Sequence, residues 1–376
     1  MYSKDLGPLK RILIQQVAAS ADELAEASDS GQDSSRVWYL DRIEVQGPDG
    51  EIYTFPSSSW IGNDADRGEV TSMERNLIVA GHHRDMYRSS LHDPAHRITR
   101  PLSVDANGFS IPHPDKVQEG IKGLNRKGMG HGGEDAYFYA SNSNGTWALG
   151  VADGVYEWRN VGIDPGIFSR QLVEYCRQAV ELGTIDVLRV LQFASKHLKR
   201  SGALGSSTIS LGIIDTIQGR LEAATVGDSG FLVLGRSVDS YMATTSRGKL
   251  LLRYRSPQQE HTFGCPYQLG HHDGADSPED AMLSTMPLYP GDVIIMGSDG
   301  LFDNLSDEEI IEITEVTMTA GGRTSEISKA LAFRAFQAST DKDRVTPYSR
   351  AASDAFEMIY NGGKTDDITV VTCILD

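Results

Sequence analysis

The chain has 376 residues, of which 39% are hydrophobic and 23% are charged. This length allows two domains, each able to bury its own core, and no apolar run approaches the roughly 20 residues that a membrane span requires. The formal net charge of -17 at pH 7 repels nucleic-acid phosphates, which argues against nucleic acid as a partner and favours cations as ligands.

The first predicted element is a β-hairpin near the N-terminus. Residues 37–45 and 52–55 form two extended segments, joined by the turn residues Gly-Pro-Asp-Gly at 47–50. Residues 82–108 then show many charges and several turn residues with no sustained periodicity, which predicts a linker. A second domain is therefore expected from residue 109 to residue 376.

The second domain alternates strand and helix signals. Asp164 before Pro165 predicts a helix start, and Ser306 with Glu309 forms a capping-box pattern at another. Further helices are predicted near residues 184–198, 325–338 and 347–360. Strands are predicted at residues 136–140, 147–152, 208–214, 221–226, 231–234, 293–296 and 368–375. Short hairpin turns and helices in separate pairs favour an antiparallel, layered α+β fold.

Acidic residues stand at the ends of several of these strands. The positions are Glu134, Asp135, Asp153, Asp228, Asp299, Asp366 and Asp367. A single Asp-Gly pair usually marks a hairpin turn. A hairpin turn becomes a weaker explanation when acids stand at the ends of several strands. Carboxylates brought together by converging strands would repel by about 4 kcal/mol per pair at 4 Å and an effective dielectric of 20, and a cation removes that cost.

The residue types around these acids indicate which cation would bind. Oxygen ligands with few histidines nearby select Mg²⁺ or Mn²⁺ over zinc. Gly154 allows a sharp turn after Asp153 and leaves its carbonyl free to coordinate. Other chemistries lack their motifs, because the sequence has no phosphate-binding loop of the Gly-Lys-Ser/Thr type and no Gly-x-Ser-x-Gly elbow.

Residues 110–376 resemble the PPM (type 2C) protein phosphatases, most closely their organelle-type branch. The matching blocks follow the family's order and include residues 111–116, 133–136, 151–155, 227–230, 297–304 and 366–370. The resemblance implies a domain of two antiparallel β-sheets sandwiched between helix pairs. It also implies a metal-dependent phosphatase that hydrolyses phosphoserine and phosphothreonine by in-line attack of a water bridging two divalent cations.

The resemblance assigns roles to individual residues. Asp153 is expected to bridge two Mg²⁺ or Mn²⁺ ions, Asp299 and Asp366 to complete one metal site, and the Gly154 carbonyl to serve the other. Asp228, together with Asp299, is expected to hold a weaker third ion.

Glu134 and Asp135 are expected to act through metal-bound waters. Between residues 116 and 132 the chain is longer than is usual in the family, so the resemblance does not single out one basic residue for the substrate phosphate. The candidates are Lys116, Arg126 and Lys127.

The metal loop departs from the family pattern at two positions. Tyr156 and Glu157 stand where the organelle-type branch has two glycines, which places a ring and an extra carboxylate beside the predicted cations. This departure motivates an alternative hypothesis, a phosphatase-like binding module with impaired catalysis that is recruited to a partner.

Residues 1–81 resemble the later part of a PLAT (lipoxygenase-homology) β-sandwich, on residues 5–9, 38–45, 53–56 and 59–61. The resemblance implies a partial all-β domain that binds a membrane lipid or a protein partner. The strands with which that family begins have no counterpart here, so we expect either a fragment or a chain that starts late. A monomer is expected, in an intracellular, cytoplasmic location, with a mitochondrion or plastid as the alternative if the true N-terminus is missing.

Overall fold

The computed structural model describes residues 100–236 and 248–376 in full and, before residue 100, the backbone of five strands. The chain divides into two compact units, residues 1–93 and 94–376. None of the helices in the described ranges combines the length and the apolar character needed to cross a membrane.

The first unit contains only β-strands among its described residues. They are β1 (Arg11–Gln15), β2 (Arg36–Gln46), β3 (Ile52–Asp64), β4 (Glu69–Val70) and β5 (Glu74–Ile78). Strands β2, β3 and β4 form one antiparallel sheet, and β1 pairs with β5. The predicted hairpin is confirmed by the pairing of β2 with β3. Its turn at 47–50 and residues 5–9 lie outside the described residues.

The second unit contains a seven-stranded antiparallel sheet in the order β19-β13-β12-β10-β9-β8-β7. In chain order these strands are β7 (Leu124–Arg126), β8 (Met129–Gly132), β9 (Asp135–Ser141), β10 (Thr146–Ala152), β12 (Ile209–Asp215), β13 (Arg220–Val226) and β19 (Met282–Pro287). Two short pairs of strands lie outside this sheet. They are β11 (Ser206–Ser207) with β18 (Leu269–Gly270), and β16 (Glu260–Thr262) with β17 (Cys265–Pro266).

A five-stranded antiparallel sheet in the order β15-β14-β20-β21-β6 faces the first. Its strands are β6 (Val104–Ile111), β14 (Gly230–Arg236), β15 (Leu250–Arg255), β20 (Val293–Gly297) and β21 (Ile368–Leu375). The helices of the described ranges are α1 (Pro114–Gln118), α2 (Pro165–Glu181), α3 (Val187–Ser201), α4 (Asp299–Phe302), α5 (Asp307–Thr319), α6 (Thr324–Thr340) and α7 (Pro347–Phe356).

Two helix ends show how local sequence sets the elements. The Asp164 side chain accepts the N–H of Gly166 at 2.9 Å and Pro165 opens α2, so this helix begins where it was predicted. Helix α7 ends at Phe356, four residues before the predicted end, because Glu357 adopts a left-handed conformation with φ of 52°.

The strands alternate their side chains between two layers of the core. On β9, Phe138 packs with Leu172 of α2 and Leu191 of α3, whereas its neighbour Tyr137 packs between the two sheets with Phe231 of β14. A third cluster joins the outer face of the five-stranded sheet to α5 and α6. The predicted sandwich of two antiparallel sheets between helix pairs is therefore confirmed.

The predicted linker over residues 82–108 is wrong at its C-terminal end. Val104 to Gly108 form the first part of β6, which pairs along its whole length with β21. The polar and glycine residues of this segment concealed the strand, because it is a partly exposed edge strand. Gly108 is needed here, since a Cβ atom would lie 2.3 Å from the Tyr137 ring, whose hydroxyl donates to the Gly108 carbonyl.

Candidate functional site

Strand ends of the seven-stranded sheet place two acidic residues at one edge. Strands β10 and β13 both run antiparallel to β12, so their C-terminal ends lie at the same edge. Asp153 directly follows β10, and Asp228 follows β13 after Gly227, whose φ of 98° turns the chain.

The five-stranded sheet brings two further acids to this edge. Gly297, the last residue of β20, pairs with Gly230 of β14 and with Val370 of β21. Asp299 lies two residues after this pairing point and Asp366 four residues before Val370. The two sheets therefore present four predicted metal ligands to one region.

These four acids line one pocket with a volume of about 350 Å³. The acidic residues that line it are Asp153, Glu157, Asp228, Glu260, Asp299, Asp303 and Asp366. The basic ones are Lys116 and Lys364. Seven carboxyl groups against two ammonium groups give the pocket an excess of acidic side chains, which is what a cation site requires.

The loop after β10 is held tightly by backbone contacts. The Asp153 carbonyl accepts hydrogen bonds from the Thr208 backbone N–H at 2.9 Å and from the Ser207 hydroxyl at 2.8 Å. A Cβ atom on Gly154 would lie 2.8 Å from the Pro165 carbonyl oxygen. Position 154 therefore excludes a side chain, because the loop passes so close to the start of α2.

The ammonium group of Lys364 lies among three of the pocket's carboxylates. It contacts Asp299 Oδ2 most closely, with Asp303 Oδ2 at 2.9 Å and Asp366 Oδ2 at 3.2 Å. The carboxylates come from α4, from the residue that caps it and from the segment before β21. One lysine thus neutralises acids from two separate parts of the chain.

Burial and mutual repulsion raise the pKa values of most of the site's carboxyl groups. Burial raises the pKa of Asp153 well above its usual range, and the charges of Asp135 and Asp299 add to this. Burial, with repulsion from Asp299, likewise raises the pKa of Asp228, and raises that of Asp366 to about 7. A cation that binds among these acids would displace their protons to the solvent.

The pKa of Asp299 differs from those of the neighbouring acids because Asp299 pairs with Lys364. Burial alone would raise the pKa of Asp299, but the charge and hydrogen bond of Lys364 bring it below its usual range. For Lys364, burial opposes the charged form, yet Asp299, Asp303 and Asp366 raise the pKa of the ammonium well above its usual value. The pair is therefore fully ionised at neutral pH.

Glu134 and Asp135 lie behind the pocket and are not among the residues that line it. Glu134 is 1% exposed and forms ion pairs with Lys116 and Arg159. Asp135 Oδ2 accepts a hydrogen bond from the Ser298 hydroxyl at 2.7 Å, which links the start of β9 to the residue before Asp299. Both acids thus contact residues that line the pocket or lie next to a residue that does.

The predicted phosphate-binding residues fall into two groups. Lys116 lines the pocket, but its ammonium is buried against Glu134 and Asp367. Arg126 and Lys127 are exposed at the turn between β7 and β8 and do not line the pocket. The structure therefore brings only the first of the three candidates to the carboxylates.

Tyr156 and Glu157 both line the pocket at the start of a 3₁₀ helix, Tyr156–Val161. Tyr156 is 56% exposed, and its ring centroid lies 5.5 Å from Lys116 Nζ. These two side chains therefore form part of the wall of the pocket.

The donor set fits a divalent cation. Within residues 100–236 and 248–376, no three histidine, cysteine or acidic side chains already form a ligand group for a metal ion, and Lys364 lies among the acids. Yet the buried oxygens Asp135 Oδ1, Asp228 Oδ1 and Asp299 Oδ1 have no hydrogen-bond partner. Buried carboxylate oxygens that lack hydrogen-bond partners match the needs of a hard cation.

Sequence reasoning missed two residues of this centre, Asp303 and Lys364, and listed Asp367 among the acids at strand ends without giving it a role. Asp303 and Lys364 line the pocket, and the buried Asp367 carboxylate accepts hydrogen bonds from the backbone N–H groups of His113 at 2.7 Å and Glu134 at 2.8 Å. Asp303 and Asp367 stood within blocks matched to the phosphatase family, and Lys364 lies two residues before one. That proximity was a signal in the sequence, but the contacts of Lys364 with Asp299 and Asp303 span 65 and 61 residues, so no local pattern predicted them.

Comparison with known proteins supports both parts of the resemblance. Residues 2–74 match the family model of the PLAT/LH2 domain. A solved structure of the photosystem II phosphatase PBCP superimposes with a TM-score of 0.59 at 29% sequence identity, covering 73% of this chain and 99% of that one.

Two relatives from Arabidopsis thaliana illustrate the sequence similarity. Probable protein phosphatase 2C 55 is 39% identical over 278 residues, covering 73% of this chain and 52% of the relative, so the chain spans about half of that protein's length. Probable protein phosphatase 2C 26 is 33% identical over 280 residues, covering 72% of this chain and 83% of the relative. The chain therefore belongs to the protein phosphatase 2C family, whose members are metal-dependent serine/threonine phosphatases.

Proposed function

We propose that this protein is a metal-dependent phosphatase that hydrolyses phosphoserine and phosphothreonine in protein substrates. The observation that carries the proposal is the meeting of Asp153, Asp228, Asp299 and Asp366 in one pocket at the edge of both sheets. Membership of the protein phosphatase 2C family supports the same activity.

We propose two Mg²⁺ or Mn²⁺ ions as the cofactors, held by Asp153, the Gly154 carbonyl, Asp299 and Asp366, with Asp228 available to a weaker third ion. No histidine or cysteine lines the pocket among the described residues, which favours these hard cations over zinc. Bound divalent cations supply Lewis acidity, which neutralises phosphoryl charge and makes water a stronger nucleophile.

The chain's own residues hold these donors in position. The hydrogen bonds of Ser207 and Thr208 fix the Asp153 backbone, and the Ser298 hydroxyl ties Asp135 to the start of α4. Lys116 and Asp367 anchor Glu134 at the start of β9. Such fixed supports reduce the reorganisation needed when charge develops on the phosphoryl group.

The test is turnover of p-nitrophenyl phosphate and of phosphoserine and phosphothreonine peptides by the full chain, with Mn²⁺, with Mg²⁺ and with chelator. We expect turnover that depends on metal, and its loss in Asp153→Asn. A wild-type chain that binds Mn²⁺ and phosphopeptide but does not turn over would overturn the proposal in favour of a phosphatase-like binding module.

We also propose that the PLAT region recruits the phosphatase to a membrane lipid or a protein partner. The match of residues 2–74 to the PLAT/LH2 family model supports this role. Co-sedimentation with anionic and neutral vesicles, compared for the full chain and residues 100–376, tests the lipid form. Equal sedimentation of the two proteins would contradict it.

A further inference from the structure

We propose that Lys364 is an internal counterion: it holds the acidic centre together without metal and leaves the carboxylates when a divalent cation binds. Lys364 would thereby weaken the site's affinity for metal and set the metal concentration at which the enzyme becomes active. The part that concerns metal rests on the proposed function, whereas the part that concerns the metal-free protein does not.

The first observation is the position of the ammonium group. Lys364 Nζ is within 3.2 Å of one oxygen each of Asp299, Asp303 and Asp366. Two of these acids are proposed metal ligands. A dication and an ammonium group repel each other strongly at such separations, so they cannot share the same oxygens.

The second observation is that the backbone of Lys364 is anchored separately from its side chain. Its N–H donates to Asn304 Oδ1 at 3.0 Å, and its carbonyl accepts from Asn304 Nδ2 at 2.9 Å. Asn304 is fully buried and also donates to the Gly300 carbonyl at 2.9 Å. The backbone thus stays tied to α4 whether or not the ammonium contacts the carboxylates.

The third observation is that the side chain has space to leave. The Lys364 side chain is 31% exposed and lines the open pocket. Its ammonium lies 5.6 Å from the centre of the Tyr348 ring, which offers a cation–π contact on the way out. A lysine on a flexible four-carbon stem can make this move without a change in the backbone.

The fourth observation concerns the carboxylate oxygen of Asp299 that Lys364 does not contact. Lys364 contacts Asp299 through Oδ2, while Asp299 Oδ1 is buried and has no hydrogen-bond partner. A cation can therefore approach Asp299 through Oδ1 before the ammonium has left Oδ2. This arrangement makes exchange of one cation for the other stepwise.

The experiment compares Lys364→Met and Lys364→Gln with wild type and with the matched control Lys329→Met. Lys329 is exposed on α6 and does not line the pocket, so its replacement makes the same charge change elsewhere. Two quantities are measured without substrate: the melting temperature in chelator, and the Mn²⁺ affinity by calorimetry.

We expect both Lys364 variants to melt at a lower temperature than wild type in chelator, because three acids lose their counterion. We also expect them to bind Mn²⁺ more tightly, by on the order of 10-fold, since the competing charge is gone. Lys329→Met should behave as wild type in both measurements.

Weaker Mn²⁺ binding by the Lys364 variants would overturn the proposal, because it would show that the lysine positions the ligands. Unchanged melting and affinity would also overturn it. So would a Lys364→Gln protein that stays unfolded with saturating Mn²⁺, since the displaced side chain should be dispensable in the loaded protein. If wild type itself binds no Mn²⁺, the proposed function fails, while the chelator melts still test the counterion role.

Discussion

Asp367 Oδ2 accepts the backbone N–H of Glu134 at 2.8 Å, although 233 residues separate them in the chain. The same carboxylate accepts the N–H of His113 and pairs with Lys116 at 2.5 Å. One buried side chain therefore ties the start of β21 to the start of β9 and to α1. This arrangement predicts a structural role for the second aspartate of the Asp366-Asp367 pair.

Asp367→Asn should lower the free energy of unfolding by about 1–3 kcal/mol, because the amide cannot accept from every donor that the carboxylate satisfies. Urea denaturation of the metal-free protein measures this change. The matched control is Asp354→Asn, which alters an exposed acid on α7. Equal denaturation midpoints for the two variants would contradict the anchoring role.

Asp299→Asn should abolish most of the activity and destabilise the metal-free protein. Activity should fall by on the order of 100-fold, since a charged ligand of the proposed cations is lost. Because Lys364 lowers the Asp299 pKa below its unfolded value, the ionised carboxylate stabilises the fold above that pKa. The variant should therefore melt below wild type at pH 7 in chelator. A wild-type rate at limiting Mn²⁺ would refute the ligand role.

Asp366→Asn should have the opposite effect on the metal-free protein. Burial, with repulsion from Asp299, raises the Asp366 pKa to about 7, so the native state binds more protons than the unfolded state between about pH 4 and pH 7. Stability from this group falls as the pH rises through that window.

In chelator at pH 8, Asp366→Asn should therefore be more stable than wild type by up to about 4 kcal/mol, with the gain vanishing near pH 4. Thermal melts across this pH range measure the difference. A gain that is independent of pH would show that titration of Asp366 is not its cause. Activity with Mn²⁺ should still fall strongly, as for Asp299→Asn.

Glu157→Gln should raise the Mn²⁺ concentration for half-maximal activity a few-fold, because an acid at the pocket wall adds negative potential at the cations. Tyr156→Phe, which changes the neighbouring wall residue without a charge change, serves as the control. The measurement is initial rate against Mn²⁺ concentration at low ionic strength. Coincident titrations for Glu157→Gln and wild type would show that this carboxylate does not influence the metal.

A fragment of residues 100–376 should fold and retain Mn²⁺-dependent turnover of p-nitrophenyl phosphate, because both sheets and the pocket lie within it. A fragment that starts at residue 109 should be less stable, because it lacks the first part of β6 and leaves residues 371–375 of β21 without their partners on that side, although β20 still pairs with residues 371–374. Circular dichroism melts of both fragments test this difference. Equal melting temperatures would mean that the first half of β6 contributes little.

The sequence by itself predicted those features that depend on neighbouring residues. Asp164 and Pro165 mark the start of α2 because capping is local, and the strand around Tyr137 and Phe138 was recognisable from its run of apolar residues. The acids at strand ends were visible as a set, because antiparallel strands that share an edge bring their ends together. The polar edge strand β6 was missed, because its pairing partner lies more than 250 residues away.

The tertiary structure alone decided how the charges of the site are partnered. The sequence offered Lys116, Arg126 and Lys127 as basic residues near the acids, yet the fold brings Lys364 to Asp299 and buries Lys116 against Asp367. Ion pairs of this kind join residues that are tens to hundreds of positions apart, so no local pattern encodes them. They depend on which strand ends meet, and that is settled only when the two sheets pack.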